Sequence, residues 1–186
     1  HNTTRRQRQM CIRDSDGAGG NPYGVIQWTN IPSSIGNQGV FLFQGWNGSS
    51  DYFKYVTGSF FTDPTAWYHV YCWINASACS TNQAGGIVIN GIHPWGNSNG
   101  YTGTNSTTSQ QFQGVVFGKK LETKIGRTRF NNQNTGNFGG YLADVNFIEG
   151  QTPSYELFGE MKNGQWIPKD IATSNEFGIK LSLIHI

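Results

Sequence analysis

Residues 140–150 read GYLADVNFIEG, and the reading of this stretch decides what the rest of the chain is expected to be. Ala143, Val145 and Phe147 alternate with Asp144, Asn146 and Ile148. A period of two marks a strand with one face buried and the other partly wet. Gly139-Gly140 punctuates its start and Glu149-Gly150 its end. A strand that long and that well bounded is expected to lie in a large sheet, with Val145 and Phe147 in the same interior as Val70 and Ile74.

The neighbouring segments read as further strands. Val25 to Trp28 is one. Residues 39–46 (GVFLFQGW) are apolar on both faces, as in a central strand. Residues 31–39 read as a loop and Asn47 to Ser50 as a turn. Tyr52 to Val56 and Ser59 to Phe61 read as a hairpin across Thr57-Gly58, and Asp63-Pro64 ends that ladder in a turn. In AWYHVYCWIN (66–75), Val70, Cys72 and Ile74 form the expected core face, and Trp67, His69, Tyr71 and Trp73 the opposite one. Ile87 to Ile89 is a strand, and Asn90-Gly91 is a strong tight-turn signal. Residues 96–114 are nearly all Gly, Asn, Ser, Thr and Gln and read as a long surface loop. Residues 115–117 and 123–128 are strands, and 130–140 a loop. Residues 153–158 form a short helical turn, and 164–168 and 177–181 close the domain. Of the 186 residues 25 are Gly and only 13% are charged, and no amphipathic helical run appears. Short apolar strands between Gly/Asn/Ser turns indicate an all-β sandwich or barrel.

The two ends do not match this middle. Residues 1–15 hold four Arg without periodicity, and the last residues, LSLIHI, follow a final strand. Both resemble translated sequencing-adapter tails of the kind that recurs in metagenomic sequences. They are set aside as non-native or disordered (1–15 and 182–186), leaving one domain over 16–181. The net charge is +2. Without residues 1–15 it is −1, from nine basic against ten acidic side chains. The basic balance thus belongs to the tail, and no nucleic acid or other polyanion partner is expected. No apolar run approaches the ~18 residues of a membrane helix, so no membrane insertion is expected.

Three pieces carry a family resemblance: DPTAWYHV followed by IVING, then KIGR, then GGYLADVNFIEGQTPSYELFGEMKNGQWIPK. In that order they resemble the concanavalin A-like, laminin-G-like domains of the lectin and glucanase superfamily that occur in phage and marine-metagenome structural proteins. The resemblance spans residues 60–181. It implies an antiparallel jelly roll of two sheets, one convex and one concave. The N-terminal strands match less well, which leaves open a missing first strand and an exposed edge. The implied setting is a virion or the extracellular space, and the implied partners are glycan or other virion or surface chains.

Glycosidases of this fold place carboxylates in an E-x-D-x-x-E pattern. Asp144, Asn146 and Glu149 keep that spacing but not the residues, and on a regular strand 144 and 149 point to opposite faces. No catalytic residue is assigned, and the expectation is a protein that is not an enzyme. His69 lacks a nucleophile in any motif. No acidic cluster or Cys/His pattern suggests calcium or zinc, so neither a metal site nor a cofactor is expected. Cys72 and Cys79 are a possible disulfide; the other reading is a buried Cys72 and an incidental Cys79. The row of outward aromatics is the best candidate site. Flat aromatic faces with nearby amides suit sugars. Tyr71, Trp73, Trp95, Tyr101, Arg127 and Asn146 are the expected glycan-binding set. The competing reading is that loops or a neighbouring chain cover these aromatics, since outward aromatic patches mark either kind of interface.

Overall fold

The computed structural model describes residues 11–15, 23–31, 37–46, 51–57, 61–63, 65–75, 85–92, 104–105, 123–130, 133–148, 151, 153–169 and 181–184. Among them every strand pairing is antiparallel. The helical content of the described residues is one 3-10 turn, Tyr155–Leu157, where a short helical turn was expected. The described part is therefore all-β.

The main sheet has six strands in the order β7-β4-β3-β2-β1-β8. Its centre is a meander of β1 (Cys11–Ser15), β2 (Tyr23–Ile31), β3 (Asn37–Trp46) and β4 (Asp51–Val56). β7 (Thr104–Asn105) adds to the edge of β4, and β8 (Thr123–Ile125) to the edge of β1. The registers Ile26↔Phe43, Trp28↔Phe41 and Phe43↔Tyr55 put Ile26, Trp28, Phe41, Phe43 and Tyr55 on one face. Val25, Val40 and Leu42 on the other face are buried too. β3 is thus covered on both sides, as its unbroken apolar run predicts. Thr57 extends the β3–β4 ladder: its N–H donates to the Phe41 carbonyl at 3.0 Å, and its hydroxyl accepts from the Phe41 N–H at 3.1 Å.

A second layer lies on the aromatic face of this sheet. It is the hairpin of β5 (Val70–Ile74) and β6 (Gly85–Ile89), with Val70 opposite Ile89 and Cys72 opposite Ile87. Ile87 and Ile89 join Phe41, Phe43, Phe53 and Tyr55 in the core, and Val70, Cys72 and Ile74 pack against it. Ile87 and Phe53 are 0% exposed. Each such side chain contributes about 1.5–3 kcal/mol of burial. Offset ring pairs such as Phe43–Phe53, with centroids 4.7 Å apart, add about 0.5–1.5 kcal/mol. Two layers of antiparallel strand packed face to face make a sandwich-like architecture.

The rest of the described chain forms small hairpins. β9 (Arg127–Phe130) pairs β10 (Gln133–Asn137), β11 (Val145–Ile148) pairs β14 (Leu181–Ile184), and β12 (Gly159–Lys162) pairs β13 (Gln165–Pro168).

Several expectations need correction. The 140–150 strand is shorter than expected: β11 begins at Val145, after Asp144 takes a φ of 52° that breaks the extended run. Its partner is β14 in a two-stranded sheet, and Val145 and Phe147 are not in the core with Val70 and Ile74. Phe147 is 37% exposed. The alternation identified a strand correctly, but alternation does not say how deep the strand lies. Of the expected hairpin across Thr57-Gly58, residues 58–60 lie outside the described residues. β4 has β3 on one edge and β7 on the other, and the Phe61 N–H donates to the Gly39 carbonyl at 2.6 Å. Residues 104–105 and 133–137, read as loops, carry β7 and β10; their Thr, Asn and Gln side chains hid backbone pairing that those side chains do not decide. Residues 11–15 and 182–184, set aside as tails, lie in β1 and β14. Residues 115–117 and 177–180 lie outside the described residues.

Candidate functional site

β5 carries the candidate site because its two faces meet different partners. Even-numbered Val70, Cys72 and Ile74 face the core. Odd-numbered His69, Tyr71 and Trp73 project from the other side, as the period of two requires. The C-terminal motif, residues 153–169, meets that outer face.

This motif is a self-contained unit. The Ser154 hydroxyl accepts from the Glu156 N–H at 3.3 Å and caps the 3-10 turn. The Phe158 N–H closes the turn on the Tyr155 carbonyl. β12 and β13 are joined by Asn163-Gly164, whose φ values of 53° and 77° suit a two-residue hairpin turn. The Lys169 N–H donates to the Phe158 carbonyl and its ammonium to the Glu156 carbonyl, both at 3.0 Å, so the end of β13 is tied back to the 3-10 turn.

The motif places Tyr155, Phe158 and Trp166 against the outer aromatics of β5. Tyr71 stacks on Trp73 with centroids 5.7 Å apart. It also meets Phe158 at 5.6 Å and Tyr155 at 6.3 Å. Its hydroxyl donates to the Pro153 carbonyl. Burial pushes the Tyr71 phenol up to about 12. The Trp73 indole lies over Gly86, its cross-strand partner, where any Cβ would overlap the ring. His69 meets Trp166 at 5.6 Å, and Trp166 meets Tyr155 at 5.8 Å. Gly91 lets the Trp166 ring lie against the turn after β6. The Asn90-Gly91 turn, with φ values of 51° and 73°, is the tight turn expected from sequence. It is tied to β5 by the Asn90 N–H donating to the His69 carbonyl at 2.9 Å, and by the His69 N–H donating to Asn90 Oδ1 at 2.8 Å. Burial lowers the His69 imidazole below its usual 6.5.

Of the expected glycan-binding set, the structure joins Tyr71 and Trp73. Arg127 lies on β9 and Asn146 on β11, in sheets separate from that of β5. The Asn146 amide donates to the Asp144 carbonyl at 2.9 Å and so belongs to its own bend. Trp95 and Tyr101 lie outside the described residues, as does Glu149. Cys72 carries a free thiol on the core face of β5, where burial raises its pKa. Cys79 lies outside the described residues. Sequence reasoning passed over Tyr155, Phe158 and Trp166 as the cover of the aromatic face. The available signal was Asn163-Gly164 in MKNGQW, a hairpin turn that brings Trp166 back beside the 3-10 turn.

Trp67 stays outside the aromatic layer at 66% exposed. It follows a turn in which Asp63 Oδ1 accepts from the Thr65 N–H at 2.8 Å and the Thr65 hydroxyl at 2.6 Å. These bonds hold the Asp63 carboxyl below the usual carboxylate range. Among the described residues no group of three or more His, Cys, Asp or Glu is placed to hold a metal ion. No helix among them is long and apolar enough to cross a membrane. No family model, curated protein or solved structure matches the chain.

Proposed function

We propose that this chain is a non-enzymatic jelly-roll module of the concanavalin A-like kind, working in a virion tail or fibre or a secreted surface protein by packing against other protein chains. One observation carries the choice of a packing role over a sugar-stacking one. The aromatic face of β5, the best sugar platform in the sequence, is covered by Tyr155, Phe158 and Trp166 of the same chain. Aromatic side chains used in this way stabilise the module. The Asp144 carboxyl supports no acid–base role, since Asp144 is exposed in the bend before β11. The two packed layers support the jelly-roll reading.

A second reading, weak glycan contact, is favoured by Trp67. Its ring is exposed beside a polar turn, and a flat indole next to hydroxyl and carboxylate groups suits the faces of a sugar. Both readings are tested on the full chain by a glycan array and by light scattering of the purified protein. The packing role predicts higher-order assembly and no glycan signal, with Trp73→Ala lowering thermal stability. A glycan signal lost in Trp67→Ala would favour the second reading. Glycan binding abolished by Trp73→Ala with an unchanged melting temperature would overturn the cover described above.

A further inference from the structure

We infer that His69 makes the seating of residues 153–169 on the outer face of β5 acid-releasable, so that the aromatic face is covered at neutral pH and presented in acid. The inference concerns the joint between two parts of the chain and does not depend on which partner the module has.

The geometry of the joint carries it. The His69 ring lies 5.6 Å from that of Trp166, tilted by 37°. Its Nδ1 is buried and has no hydrogen-bond partner. A neutral imidazole tolerates this, because one ring nitrogen carries no proton. An imidazolium carries N–H on both nitrogens. Protonation would thus put a donor where no hydrogen-bond partner lies among the described residues, and a charge into an aromatic layer. The Trp166 Nε1–H in the same joint is likewise buried without a partner among the described residues. Attraction of a cation to the indole face works the other way, but it gives Nδ1–H no acceptor.

The structure also decides which side yields. The His69 backbone is held at both its N–H and its carbonyl by Asn90. β5 is further fixed by its inward side chains on the main core. The C-terminal motif is held to β5 by ring contacts and by the bond from Tyr71 to the Pro153 carbonyl. When it lifts it is left with only its own bonds, those of Ser154, Lys169 and the β12–β13 ladder, and a lone two-stranded hairpin is marginal in water, so its amides lose protection together with the seating.

The groups packed on the imidazole are uncharged: Asn90 from the turn, Trp166 from β13 and, behind Trp166, Tyr155. The charged side chains of the motif, Glu156, Glu160, Lys162 and Lys169, are all exposed, and Glu160 and Lys169 lie 4.0 Å from each other. Burial is the one cause that moves His69 from 6.5, and it moves it down. The sign follows. The seated form binds its proton less readily than the open form. Seating is fully favourable above about pH 6.5 and weakens as the pH falls below that value.

Hydrogen exchange read by mass spectrometry on the full chain between about pH 7.5 and 5.0 tests this. After correction for intrinsic rates, protection of amides 159–168 should fall by about tenfold for each unit by which seated and open pKa differ. Protection of amides 40–44 in β3 should hold. In His69→Phe, which keeps a ring against Trp166 without a titrating group, the fall should vanish. Constant protection of 159–168 in the natural chain, an equal fall in His69→Phe, or an equal fall in β3 would each overturn the inference. If His69→Phe does not fold, His69→Gln takes its place, and the contrast between the two regions of the natural chain remains decisive.

Discussion

The β5–β6 and β12–β13 hairpins are built on the same local chemistry and end in opposite environments. Each is antiparallel, each is followed or closed by an Asn-Gly pair, and the four φ values lie between 51° and 77°. Every residue of β6 is buried, whereas β12 and β13 are exposed at most positions. The turn residues set the chain reversal in both cases, because only Gly and Asn take positive φ cheaply. What separates the two is the side chains. Gly85–Ile89 offers Ile87, Val88 and Ile89 in a row, which fill the space between the main sheet and the C-terminal motif. Glu160, Lys162 and Gln165 allow β12–β13 one inward anchor, Trp166. Local turn chemistry makes a hairpin; the apolar load of its strands decides its depth.

Five substitutions break or sharpen that comparison, each read as a change in unfolding free energy by denaturant titration. The largest loss is expected for Ile87→Ala, about 2–5 kcal/mol, because it leaves a void in a layer with no exposure. Next comes a matched pair at the turns. Gly164→Ala, at a φ of 77° with nothing within 4 Å of the new methyl, should cost only the strain of that conformation, about 1–2 kcal/mol. Gly91→Ala, at a φ of 73°, incurs the same strain and also drives a methyl into the Trp166 ring, so it should cost at least ~1 kcal/mol more. Equal losses would mean that Trp166 does not rest on the β6 turn. Tyr71→Phe removes the bond to the Pro153 carbonyl and should cost about 0.5–1.5 kcal/mol. The smallest effect is expected for Ile167→Ser, within about 0.5 kcal/mol, since Ile167 is already exposed on the outer hairpin.

The parts of the fold that were legible in the sequence were those with strong local causes. The apolar run at 39–46, the inward set Val70, Cys72 and Ile74, the Asn90-Gly91 turn and the helical turn near 153–158 all have such causes. The parts that were not legible depend on partners distant in sequence. GYLADVNFIEG has the alternation of a core strand, yet among the described residues β11 pairs only with β14, and Phe147 reaches the surface. Residues 133–137 are polar and still pair, because a ladder is made by backbone groups. The candidate site divides in the same way. Tyr71 and Trp73 were placed on the outward face by alternation. Whether that face was open or covered depended on residues more than 80 positions away, such as Pro153, whose carbonyl accepts the Tyr71 hydroxyl.

By itself the sequence determined the class of this protein: strand periodicity, glycine and asparagine turns and the lack of helical patterning are short-range properties of neighbouring residues. It also determined which side of β5 is aliphatic and which aromatic. Only the tertiary structure decided that the aliphatic side meets Phe41 and Phe53, that the aromatic side is closed by Tyr155, Phe158 and Trp166, and that His69 lies in the joint without a partner for Nδ1. The reason is physical. Burial and hydrogen-bond satisfaction are set by which surfaces exclude water together, and that depends on contacts between segments that no local pattern records.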